Sequence, residues 1–269
     1  MANFFDTHAH LDFPDFASDL AEVIARAADA GITRINSIGT DLDSSRRAIA
    51  IAERFENVFA TVGWHPTHVM EAPGDIRAEL RELAKHPKVI AIGETGLDYY
   101  RLPGAQPGGT AEQDDTYKLK QAQIFQQQLE VAAELGLNCV IHQRSALEDT
   151  LAAMQPFAGR VRGQFHCFVD DVMAMKRVLA LGSVVSFTGI LTFKNAQTIR
   201  DTLYATPLGE FMLETDCPYL APAPYRGKRC EPAYVKDLAA AAAQVKGCSL
   251  EELSAATCKT AREFFPRLR

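Results

Sequence analysis

One alternation constrains this chain more than any other feature. Short apolar runs are followed, about eight times over, by longer amphipathic segments. The runs are residues 4–6, 34–38, 58–62, 89–92, 138–141, 162–165, 184–187 and 211–213. Helical periodicity covers 16–30, 43–55, 76–86, 116–135, 146–154, 171–181, 196–205 and 235–245, and a last segment, 250–265, closes the chain. A short apolar run between two amphipathic segments is the pattern of a parallel strand covered on both faces. Eight such units in 269 residues predict an α/β protein of the (β/α)₈ TIM-barrel type, which typically needs ~250 residues. The competitor, an open doubly wound sheet, places its ligand at one switch point between strands. Here residues of metal-ligand type follow the first, fourth, fifth, sixth and eighth runs, and only a closed ring brings those together. The Gly/Pro-rich stretch 103–110 lies inside the repeat and separates no distinct halves, so residues 1–269 read as a single domain.

Several boundaries carry their own chemistry. Gly31, Gly136 and Gly182 end helical segments where a left-handed cap is easiest without a Cβ. Asp43 and Ser145 precede helices as N-cap candidates. Pro66 stops the third strand because it cannot donate to a central ladder.

The candidate chemistry sits just past the apolar runs. His8 and His10 alternate on the first strand, so their side chains point the same way. Glu94 follows Val-Ile-Ala-Ile-Gly, His142 follows Val-Ile, His166 follows Gln-Phe, and Asp216 follows Leu-Glu-Thr. Four imidazoles and two carboxylates are about what two divalent metals need if one carboxylate bridges them. Glu94 suits the bridge, since Lys88, the nearest lysine, lies at the opposite end of its strand and offers no carbamate there. Gly93 before it allows a backbone or a ligand to approach closely. Each residue alone also has an ordinary reading: an H-x-H on a polar strand face, a core histidine, a carboxylate opening a loop, a turn-forming Asp before Pro218. Asp6 and Asp12 are not separable from the H-x-H by sequence.

Around that set lie further candidates. His65 and His68 follow the third strand and would touch substrate or order the metal ligands, whereas His86 belongs to the other end. Loop 219–232 holds Arg226, Lys228 and Arg229, and Arg144 lies two residues past His142. Together these cations suggest a phosphate clamp, or else a solvated basic loop tied down by Glu231. Trp64, Tyr99 and Tyr100 offer rings on which a base could stack, although loop packing is the simpler reading of Tyr100. Cys167 and Cys217 each follow a proposed ligand, and alternation turns them away from it.

Composition sets the outer limits. A formal net charge of −6 argues against a protein that coats nucleic acid, but not against a local basic patch. Six cysteines without a C-x-x-C pair read as reduced thiols. No leader-like start and no apolar run near ~18 residues lead to the expectation of a cytoplasmic protein with no membrane partner, monomer favoured.

The fragments DTHAHLDF at 6–13, VGWHP at 62–66, GETGLDYY at 93–100, IHQR at 141–144, FHCF at 165–168, ETDCPYL at 214–220 and RGKRCEP at 226–232 resemble the TatD family of metal-dependent deoxyribonucleases, most closely its YcfH-type branch. The resemblance runs in order over essentially the whole chain. It implies an amidohydrolase-like TIM barrel and a hydrolase of phosphodiesters, 3'-5' exonuclease-like, acting on single-stranded DNA or short oligonucleotides. It also implies one metal on His8, His10, Glu94 and Asp216 and a second sharing Glu94 with His142 and His166, with His65 near the substrate phosphate. Val169-Asp170, where the family often has Ser-Gly, and Cys230, where it usually has Asn, depart from the pattern without removing a ligand.

The mechanism expected is two-metal hydrolysis, with Mg, Mn or Zn as the ions. Glu94 and Asp216 would be the catalytic carboxylates, Asp216 doubling as proton acceptor, and Arg226, Arg229 and His65 would orient the phosphate. Two other readings stand beside it: a metallohydrolase of another ester or amide on the same barrel, and a non-catalytic metal- or nucleic-acid-binding protein.

Overall fold

The computed structural model describes residues 2–268. All eight predicted strands form: β1 (Phe4–Ala9), β2 (Ile32–Ile38), β3 (Val58–Val62), β4 (Val89–Asp98), β5 (Asn138–Arg144), β6 (Gly163–Phe165), β7 (Val184–Phe187) and β8 (Phe211–Leu213). They pair in parallel and in chain order, in one eight-stranded sheet. The helices between them are α1 (Leu20–Asp29), α2 (Leu42–Arg54), α3 (Arg77–Ala84), α4 (Ala111–Leu135), α5 (Leu147–Met154), α6 (Val172–Ala180), α7 (Gln197–Ala205), α8 (Val235–Lys246) and α9 (Leu250–Phe264). The ring closes at its C-terminal rim: Asp216 donates its N–H to His8 O at 2.9 Å, and His10 donates to Cys217 O at 2.8 Å. Two of the predicted ligand strands are thus joined through the ligands' own backbone. Among the described residues no helix is long and apolar enough to cross a membrane.

Inside the ring the side chains form layers, as alternation along each strand requires. Phe5, Ile90, Val140, Val184 and Met212 form an apolar layer closed from below by Ala261, Phe264, Phe265 and Leu268, so the end of α9 plugs the barrel. Asn138, the first residue of β5, ties this plug down through its amide and Phe264 O. The next layer is polar. Gln164 donates to Thr7, Ser186 and Glu214, and Ser186 donates to Glu214 at 2.7 Å. Above that polar floor lie the ligand-type residues.

The β4–β5 seam explains two glycines. Gly93 and Gly96 have φ of +145° and +134°, and a Cβ on them would meet Val140 O at 2.7 Å and His142 O at 2.0 Å. The close approach foreseen at Gly93 is therefore made by backbone. From outside, α4 presents two buried glutamines two turns apart. Gln121 brackets the backbone of Asp98, and Gln128 that of Trp64, each accepting one hydrogen bond and donating another. These amides fix the ends of β3 and β4 where the site begins.

Several boundaries differ from expectation. The N-cap of α2 is Asp41, which accepts from Ser44 N at 2.7 Å. Asp43 lies inside the first turn and pairs with Arg46. Ser145 caps nothing: it has a left-handed φ of +56°, and α5 starts after Ala146 without a side-chain cap. The chain from Pro14 to Phe16 makes a 3₁₀ turn, so α1 begins only at Leu20. Helix α4 begins earlier than predicted, because Thr110 and Gln113 form a reciprocal capping box. Gly31, Gly136 and Gly182 do adopt positive φ after their helices.

Candidate metal centre

The structure brings all six predicted ligands together. Glu94, only 2% exposed, lies between two groups of nitrogen donors, and its two oxygens face different ones. Oε2 is 3.4 Å from His8 Nε2 and 3.7 Å from His10 Nε2. Asp216 Oδ1 completes this group at 3.5 and 3.4 Å from the same two nitrogens, which are 3.3 Å apart. Oε1 is 2.9 Å from His142 Nδ1 and 2.9 Å from His166 Nε2, and those nitrogens are 3.2 Å apart. Donors ~2.1 Å from one ion at tetrahedral or right angles lie about 3.0–3.4 Å from each other. Both groups approximate that spacing, so the residues fit divalent cations. The rings of His8 and His166 stack at 4.0 Å and link the two groups.

Hydrogen bonds on the far side of the rings set which nitrogen faces inward. His10 donates Nδ1–H to Ile38 O at 3.3 Å, leaving the Nε2 lone pair toward Asp216 and Glu94. His142 donates Nε2–H to Asp98 Oδ2 at 3.0 Å, leaving Nδ1 toward Glu94. His166 turns Nδ1 toward Glu214 Oε1 at 3.7 Å. Such outer partners fix ring orientation and raise ligand basicity. Asp98 and Glu214 are functional residues that the sequence reading missed. Both stand within the quoted GETGLDYY and ETDCPYL fragments, four residues after Glu94 and two before Asp216, and that proximity was the only available signal.

His65 also enters the group. Its Nε2 is 3.2 Å from both Glu94 Oε1 and His142 Nδ1. Its other nitrogen accepts the backbone N–H of Thr67 at 3.1 Å. An imidazole that accepts at Nδ1 and is neutral carries its proton on Nε2. Burial pushes its pKa down to about 4, so near neutral pH His65 presents an N–H to the site rather than a lone pair.

Charge in the centre is strongly coupled. Burial works against the Glu94 carboxylate, yet the imidazoles of His166, His65 and His8 hold it well below the usual range. Burial likewise opposes a charged His166, but Glu94 and Glu214 hold its pKa well above the ordinary value. Asp6 is not a ligand: burial pushes it up to about 8 while Thr215 and His8 N–H donate to it. Asp12 accepts from Ser44 and Arg47 instead.

The cationic loop divides. Arg226 is exposed and lies over the Phe193 ring at 4.4 Å. Arg229 is not brought to the ligand set: its guanidinium binds Asp19 at 2.7 Å through both terminal nitrogens and reaches Glu231 and Asp15 O. Arg26 joins the same network through Glu231 and Asp19. Glu231 ties the loop to α1, as expected. Arg144 stacks over exposed Tyr100 with its guanidinium carbon 3.6 Å from the ring centroid. Trp64 is buried and donates Nε1–H to His68 O, which removes it from the mouth. Tyr99 is held by Asp149. Lys88 donates to three backbone carbonyls near the start of β3, and His86 lies beside it, paired with Glu53. Cys167 and Cys217 stand outside the donor groups.

A parallel barrel whose C-terminal rim carries this ligand set is a metal-dependent hydrolase. A family profile described as TatD related DNase matches residues 5–266, and the chain belongs to that family. Among its relatives, the uncharacterized metal-dependent hydrolase YcfH of Escherichia coli K12 is 36% identical, the match covering 94% of this chain and 91% of that one. A protein of Erwinia tasmaniensis named 3'-5' ssDNA/RNA exonuclease TatD is 32% identical, over 97% of this chain and 99% of the other. The crystal structure of YjjV, a TatD homolog from Escherichia coli, superposes with a TM-score of 0.88 at 26% identity, covering 98% of both chains.

Two outcomes follow from this geometry. Asp98→Asn keeps the size of the side chain but loses the carboxylate that orients His142, and metal affinity measured by titration calorimetry is expected to fall about 10–100-fold. An unchanged affinity would show that the Asp98 contact does not tune the ligand. The loop network predicts a pH dependence. The Arg229 hydrogen bond, with Arg26, lowers Asp19 to about 2, whereas an unfolded Asp titrates near ~3.9. A depressed carboxylate stabilises the fold above the unfolded value, and that stability is lost as pH falls through the folded one. The difference in unfolding temperature between wild type and Asp19→Asn is therefore full above about pH 4 and closes toward pH 2. A difference that is constant across that range would contradict the assignment.

Proposed function

We propose that this protein is a nuclease that uses two divalent cations, Mg, Mn or Zn, to remove nucleotides from the 3' end of single-stranded DNA or short oligonucleotides. The observation that carries the reading is the carboxylate of Glu94, whose two oxygens face separate donor groups. Two such sites sharing one carboxylate suit in-line displacement at phosphorus. The name of the Erwinia tasmaniensis relative supports the choice of substrate and polarity.

Divalent cations held here would supply an acidified water and neutralise charge on the phosphoryl oxygens. The remaining tasks fall to side chains. Asp216 is 15% exposed against 2% for Glu94, so it is the ligand carboxylate open to an incoming water and accepts its proton. The water oxygen bonds to phosphorus as the bond from phosphorus to the leaving 3'-oxygen breaks, and that oxygen takes a proton from solvent. His65 donates Nε2–H to a phosphoryl oxygen. Arg226 and Arg144 are exposed, each with its guanidinium over an aromatic ring, which leaves their forks for phosphate oxygens. Arg229 acts one step back, holding loop 219–232 in place for Arg226.

Single-stranded DNA labelled at its 5' end, incubated with Mg or Mn, tests the reading. Wild type is expected to shorten it stepwise from the 3' end, a chelator to stop the reaction, and Glu94→Ala to slow it by about 10³-fold or more. Wild-type turnover in Glu94→Ala would remove the site from the chemistry. Release of the labelled terminal nucleotide in the first turnover would reverse the polarity.

A further inference from the structure

A column of rings leads from the metal centre to solvent. Phe13, in the turn after β1, stacks on the imidazole of His10 with centroids 4.6 Å apart and planes 17° from parallel. Tyr219 stands edge-on to Phe13 at 6.2 Å and 77°. Its chain position is tied to the ligands, because Tyr219 donates its N–H to Asp216 O at 3.0 Å. The Tyr219 side chain is nevertheless 55% exposed. A large ring left this open, next to a predominantly polar and charged centre, keeps a face free for a planar partner.

We infer that Phe13 and Tyr219 form a stacking subsite for one unpaired nucleobase next to the phosphate that is cleaved. This rests on the nuclease reading above and adds to it a determinant of substrate class. Three physical points favour a base. A base stacked on an aromatic side chain gains ~1–3 kcal/mol whatever its identity, because every base has a π-face. The Tyr219 ring follows ligand Asp216 by only three residues, which places it within a nucleotide's span of the site. A base in a duplex already has both faces covered, so a subsite that needs a free face selects single strands or frayed ends. Phe13 sets the tilt of Tyr219, while its stack on His10 ties the subsite to the ligand itself.

Binding is measured on metal-loaded protein with phosphorothioate-linked single strands that resist cleavage. One carries 2-aminopurine as its 3'-terminal base, and the other carries an abasic sugar there. Wild type is expected to bind the base-bearing strand about tenfold more tightly and to quench its fluorescence on stacking, since tenfold corresponds to ~1.4 kcal/mol, within the stacking range. Tyr219→Phe keeps both effects, and Tyr219→Ala brings the ratio to near one and abolishes the quench. Equal binding of the two strands by wild type, binding of neither, or a preference that survives in Tyr219→Ala would each overturn the subsite. Turnover on ordinary DNA is scored separately. A base preference without cleavage leaves the subsite standing and defeats the nuclease reading, whereas cleavage without a base preference does the reverse.

Discussion

A carboxylate sealed in the mouth of a barrel must be compensated, and the rest of this structure is arranged around how Glu94 is. An uncompensated charge at that depth costs several kcal/mol. Four imidazoles surround it within 3.4 Å, from β1, the turn after β3, β5 and the turn after β6. No two of those elements are adjacent in sequence, so the compensation exists only when the ring is closed. The closing hydrogen bonds pass through His8, His10 and Asp216 themselves. Folding the barrel and assembling the ligand set are in that sense one event.

The polar floor beneath the ligands extends the same logic. Glu214 accepts from Gln164, Ser186 and Cys167 N–H, so its carboxylate is satisfied before it faces His166. Asp98 is held at its backbone by Gln121 and at its side chain by His142 and the N–H of Tyr100. Fully bonded buried polar groups hold one geometry, and a metal site depends on ligands being held in place. Burial works against charge at this depth, and it is burial first, with Glu214 adding to it, that raises the pKa of Asp6 to about 8. Divalent cations bound among these carboxylates would stabilise the folded chain by mass action.

Much of this was legible in the sequence, for a definite reason. Strand positions follow from apolar runs, and ligand residues at the C-terminal ends of barrel strands converge by geometry, so His8, His10, Glu94, His142, His166 and Asp216 could be collected without coordinates. Asp98 and Glu214 escaped because what they do lies in contacts to His142 and His166, 44 and 48 residues away in sequence, that only the folded barrel creates. Arg229 shows the opposite failure. A basic run reads the same whether it faces phosphate or Asp19, and the choice is made by the packing of α1 against the loop. The glutamines of α4 and the stacked Phe13 were invisible for a similar reason, since a buried amide or an ordinary Phe carries no local signature of its partner.

The central claim is that Glu94 joins two cation sites, and anomalous diffraction from crystals grown with Mn(II) tests it most directly. The account predicts two peaks about 3.5–4 Å apart, one beside His8, His10 and Asp216 and the other beside His142 and His166, with one oxygen of Glu94 directed to each. A single peak, or two that leave Glu94 uncoordinated, would contradict it.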